Sequence, residues 1–85
     1  MKSVAFTVTT TAQAILTTEP VNRVALIHVL GAGTVYLGGS DVTSSNGLMT
    51  EKNAVPLSVT IPAGEVIYAL TATGTEQLRI MVQGD

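Results

Sequence analysis

The sequence predicts an all-β chain, a small antiparallel β-sandwich or barrel of about seven strands. Three observations carry this prediction. Apolar and polar residues alternate with a period of two in the clearest segments, β-branched residues crowd the others, and turns containing Gly or Pro punctuate the chain at short intervals. No stretch keeps the i, i+3, i+4 apolar spacing of an amphipathic helix over a useful length.

Taken in order, strands are expected near residues 3–9, 12–18, 22–30, 34–38, 55–61, 65–72 and 76–83. "SVAFTVT" and "AQAILTT" alternate imperfectly, and their β-branched content decides for strand. "TEP" at 18–20 leads into the third strand, where Pro20 suits a turn or a strand edge. "GAG" at 31–33 reads as a tight hairpin with glycines available for positive φ. "VPLSVTI" sets Val55, Leu57, Val59 and Ile61 against Pro56, Ser58 and Thr60. "PAG" at 62–64 has the order of a β-turn, and "TATGTE" turns through Gly74. "EQLRIMV" sets Leu78, Ile80 and Val82 against Gln77, Arg79 and Met81.

Two strands are apolar on both faces. Residues 24–30 carry Val24, Leu26, His28 and Leu30 on one face and Ala25, Ile27 and Val29 on the other, and residues 66–70 set Val66, Tyr68 and Leu70 against Ile67 and Ala69. A strand in a two-layer sandwich needs only one apolar face. The surplus favours a covering partner: another subunit, a larger host surface or the N-terminal segment. Complete burial inside one closed barrel is the alternative.

Eighty-five residues make a single domain, 1–85, in which 1–18 form either an N-terminal arm or the first two strands. A chain of this size buries only about 60–65% of its unfolded surface. With no cysteine, disulfides and thiolate metal sites are excluded. Four scattered basic residues against six acidic ones, net charge −2, speak against nucleic-acid binding and against a polybasic membrane anchor. The longest apolar run, "VALIHVLGAG", is too short for a bilayer span. The N-terminal "MKSVAFTVTTTAQA" ends in A-x-A, but its hydrophobic part is only Val4 to Val8, so a first strand is expected and no signal peptide.

Chemistry is hard to find. His28 stands in the most apolar strand with no acid or nucleophile at a supporting spacing, so it is expected to be a hydrogen-bonded structural residue. "GAGTVYLGG" fails as a dinucleotide fingerprint, because Tyr36 stands at the third glycine and no helix follows. "GGSD" at 38–41 lacks the clustered carboxylates of a calcium loop, the next acid being Glu51. Asp41 and Thr43 are instead expected to cap the loop backbone, and Asn46-Gly47 to form a type I′ turn. The aromatics are only Phe6, Tyr36 and Tyr68, with no tryptophan to stack a sugar or a base. No enzyme activity, metal or cofactor is expected.

Residues 34–47, "TVYLGGSDVTSSNG", resemble a signature of small β-domains among the virion proteins of tailed bacteriophages: an apolar strand ending in Tyr-(Leu/Ile)-Gly, a small residue, Ser-Asp-Val-Thr, and a Ser/Thr-Asn-Gly turn. "IPAGEVIYAL" at 61–70 and "EQLRIMVQ" at 76–83 are similar to the segments that follow it, so the resemblance spans roughly 22–83. "LMTEKNAVPLSVT" departs from the pattern, which has one brief loop and one strand there; Lys52-Asn53 reads as an additional turn. The resemblance implies a virion structural protein, assembled in the host cytoplasm, and in particular a capsid decoration or cement protein that braces the outer head surface. Its partner would be the major capsid protein, and it would be a homo-oligomer, with a trimer favoured. Gly38, Gly39, Ser40, Asp41, Thr43, Asn46 and Gly47 would then form a rigid, self-capped loop or interface, and Phe6, Val8 and Thr10 a capsid-contacting arm. A head–tail connector or tail component is the alternative within the virion. A carbohydrate-binding adhesion module is the alternative outside it, and a hydrolase comes last.

Overall fold

The structure, a computed structural model, describes residues 1–83; Gly84 and Asp85, the end of the expected domain, lie outside the described residues. Over the described residues the chain is all-β, with eight strands in two four-stranded antiparallel sheets that form a small β-sandwich. The strands are β1 (Lys2–Val8), β2 (Gln13–Ala14), β3 (Arg23–Val29), β4 (Thr34–Gly38), β5 (Leu48–Glu51), β6 (Leu57–Ile61), β7 (Tyr68–Thr71) and β8 (Glu76–Gln83). The first sheet runs β1-β8-β3-β6 and the second β2-β7-β4-β5.

Alternation sets the core. Along β8, Leu78, Ile80 and Val82 are buried while Gln77, Arg79 and Met81 are exposed, as the period-two pattern predicts. From β3, Ala25, Ile27 and Val29 are fully enclosed. Val35 and Leu37 of β4, Ala69 of β7, and Ile15 and Ile67 beside the strands meet them from the second layer. Each enclosed aliphatic side chain contributes about 1.5–3 kcal/mol relative to exposure.

Four expectations are corrected. First, "GAG" is not a hairpin: β3 and β4 lie in different sheets, and 31–33 crosses between them. Neither glycine has positive φ. They make room for Glu76, whose Oε2 accepts the Gly33 N–H (3.1 Å); a methyl group on Gly31 or Gly33 would overlap that carboxylate. Second, "LMTE" at 48–51 is a strand, β5, which pairs with β4 in the one hairpin that joins consecutive strands among the described residues. Its two adjacent apolar residues hid the alternation. The turn expected at Lys52-Asn53 follows it, closed by Ala54 N–H to Glu51 O (3.1 Å). Third, β6 begins at Leu57 and leaves Val55 85% exposed. Fourth, the strand expected at 12–18 shrinks to two residues, because Ile15 onward bends away to cross between the layers.

Two turns are as expected. Gly64 (φ +83°) and Gly74 (φ +67°) take the left-handed conformation that glycine adopts without strain, and Glu65 N–H closes the first turn onto Pro62 O (3.1 Å). The 18–22 crossing is pinned to that turn by Gly64 N–H to Glu19 O (2.9 Å) and Ala63 N–H to Asn22 Oδ1 (2.8 Å).

Candidate interaction surface

The loop after β4 is built around a residue that turn chemistry did not single out. Val42 turns inward and is buried, and Gly38 and Gly47 leave space for it: a Cβ on either would stand 2.9 Å from Val42 Cγ2. The backbone closes on itself through Val42 N–H to Gly39 O (3.0 Å) and Gly47 N–H to Thr43 O (2.9 Å). Asn46 is the main cap. Its Oδ1 accepts the Thr43 N–H (2.7 Å), and its Nδ2 donates to Asp41 O (3.4 Å). Thr43 Oγ1 accepts the Ser45 N–H (3.2 Å). The expected capping role thus falls to Thr43 and Asn46, while Asp41 enters through its carbonyl. Asn46-Gly47 is not a type I′ turn, since neither residue has positive φ; the chain makes a helix-like turn from Thr43 to Gly47 instead. Gly38, Gly39, Ser40 and Asp41 remain exposed at the tip.

The arm residues are built into the domain. β1 pairs with β8 over its whole length, with Phe6 opposite Leu78 and Val8 opposite Glu76. Val8 is fully enclosed, Phe6 packs against the core, and only Thr10 is exposed. Of the two forms expected for 1–18, the chain adopts the strands.

The two-faced strands remain half open outward. Among the described residues no third layer covers the first sheet, and Val24, Leu26 and His28 are half-buried by their neighbours within it. The register places His28 beside Arg79, which pairs with Ala5, and Leu26 beside Met81, which pairs with Ser3. These side chains, with Pro56 at one side, line a shallow concavity of about 580 Å³. Arg79 Nη1 donates to Leu78 O (3.0 Å), which lays the guanidinium along the sheet. His28 Nδ1 is buried without a hydrogen-bond partner, contrary to the expected hydrogen-bonded histidine. Among the described residues, the outward positions of these four strands hold no carboxylate. On the second sheet, Leu70, Tyr36 and Met49 form one row across three strands, of which Leu70 is buried, Tyr36 half-buried and Met49 exposed.

Among the described residues, no group of three or more His, Cys, Asp or Glu side chains is placed to hold a metal ion, and no helix is long and apolar enough to cross a membrane. Compared with known proteins, the chain matches no family model, no curated protein and no solved structure.

Proposed function

We propose that this chain is a structural, non-catalytic protein of a tailed-bacteriophage virion that decorates the outer head surface and braces the shell. The observation that carries this reading is the resemblance of "TVYLGGSDVTSSNG" to such domains. The geometry supplies physical support: the signature is a self-capped loop anchored by Val42, and both outer sheet faces offer apolar side chains to neighbours. Decoration draws its strength from repetition, since many weak contacts on a lattice act at high effective concentration. In this reading the major capsid protein lies against one sheet face and further copies of the chain against the other.

Copy number tests the proposal. Quantitative mass spectrometry of purified virions is expected to give a ratio to the major capsid protein of one or a simple fraction of one. A few copies per particle would move the chain to the neck or tail, and its absence from virions would end the structural reading.

A further inference from the structure

We propose that the outer face of the first sheet is a recognition site for a protein segment in which a carboxylate is flanked by aliphatic side chains. The inference rests on the decoration reading for the identity of that partner, the shell protein. Its chemistry is argued from the face itself.

Charge comes first. The chain carries six acidic residues against four basic ones, yet among the described residues none of the acids points outward from this sheet. Glu19, Asp41 and Glu65 lie in crossings and loops, Glu51 is on the second sheet, and Glu76 is tucked beside Gly31 and Gly33. Outward on the first sheet stand Arg79 and, directly across the strand pair, His28. An acidic chain has therefore kept one face free of acid and placed an arginine there. A carboxylate laid on this face meets a guanidinium and an imidazole with no competing anion, and a charge-assisted hydrogen bond to Arg79 is the strong form of that contact.

His28 is the second observation. The side chain lines the concavity, its Nδ1 is buried with no partner, and a buried polar atom without a hydrogen bond needs an explanation. A docked segment would bring backbone N–H and C=O groups to the ring that carries this nitrogen. Beside it, Ala5, Leu26, Met81 and Pro56 form an apolar floor for the flanking side chains.

Charge, with size in support, separates a segment from a second copy. At about 4.8 Å between strands and 3.3 Å per residue, a face four strands wide and roughly five residues long covers on the order of 300–400 Å². A stable interface between two folded proteins needs about 800 Å² from each. Two copies placed face to face would also bring their Arg79 and His28 clusters together. An extended segment of another protein fits a face of this size and meets its charge, whereas a second copy would set like charges against each other.

The test is an amide-resolved NMR titration of the full chain with two capped peptides, SLEVS and SLQVS, which differ only in the central charge. The acidic peptide is expected to shift the amides of Leu26, His28, Arg79 and Met81 and to bind about three- to tenfold more tightly than the neutral one. Arg79→Gln, at an exposed position, is expected to remove that preference while leaving the rest of the spectrum in place. Equal binding of both peptides, shifts confined to residues 38–47 or to the second sheet, or no shifts at millimolar peptide would each overturn the inference. Those outcomes leave the virion copy number untouched, so failure of the site and failure of the decoration reading are separate results.

Discussion

Gly47 and Gly39 both belong to the loop signature, but the structure gives them different work. A Cβ on Gly47 would stand 2.6 Å from Tyr36 Cβ, 2.9 Å from Val42 Cγ2 and 3.0 Å from Thr43 O, and none of these atoms is the end of a flexible chain. At Gly39 the added carbon meets only Asp41 Oδ1, at 3.3 Å. Gly47→Ala is therefore expected to cost about 1–3 kcal/mol through overpacking, and Gly39→Ala no more than about 0.5 kcal/mol. Urea unfolding of the two variants checks this; equal effects would mean that Val42 does not anchor the loop. Arg23 presents the opposite case, a charged side chain only 2% exposed. Its Nη2 donates to Glu65 O (3.1 Å), while its Nε is buried without a partner. A buried cation held this sparsely is costly, so Arg23→Met, which keeps the length and drops the charge, is expected to leave the urea midpoint unchanged or raise it. A midpoint that fell sharply would show that the guanidinium holds the 62–65 turn more firmly than its one hydrogen bond implies.

At the level of elements, β1 is the informative case. Removing residues 1–11 takes away Val8, enclosed in the core, together with Val4 and Phe6 packed against it, and turns β8 into an edge strand. Three such side chains are worth roughly 5 kcal/mol, which matches the lower end of a small domain's whole stability. The truncated chain is expected to lose its cooperative unfolding transition and its dispersed amide spectrum. A dispersed spectrum would restore residues 1–11 to the role of a detachable arm. Its neighbour β8 and the edge strand β5 show what sequence can and cannot tell. β8 was legible because one of its faces is solvated, so burial wrote a clean alternation into Leu78, Ile80 and Val82. β5 was not, because an exposed edge strand places no such demand on Leu48 and Met49. The crossing at 31–33 reads as a hairpin for a related reason: glycine marks both tight turns and close packing, and only the position of Glu76, 43 residues beyond Gly33, tells them apart. In the loop, Thr43 is legible as a local cap, whereas Asn46 reads as a turn residue and only the fold of residues 41–47 turns its amide back onto Thr43 N–H and Asp41 O. Val42 is not legible, since its burial depends on the layer beneath, and the His28–Arg79 pair depends on the β3–β8 register.

For the whole molecule the question is whether one copy is a complete folding unit. The Cα trace measures 33 × 24 × 17 Å, two layers thick, and its accessible surface of 4658 Å² is close to the roughly 4,800 Å² expected of a folded monomer of 8.8 kDa. Area alone therefore requires no partner. The exposed apolar side chains offer a way to test for one. On the second sheet, Tyr36, half-buried, and Met49 run in register beside Leu70, which is itself buried, and Met49 is 63% exposed at the sheet edge. If copies associate through this row, association adds to folding stability by mass action, and the urea midpoint is expected to rise with protein concentration. Met49→Lys, which places a charge on the row without touching the core, is expected to abolish that rise and to shift sedimentation velocity to the monomer. A midpoint independent of concentration in the unaltered chain would mean that neighbours within each sheet already satisfy the outward apolar side chains. Assembly would then wait for a surface that supplies the second half of each contact, and the chain would oligomerise only where such a surface holds its copies in place.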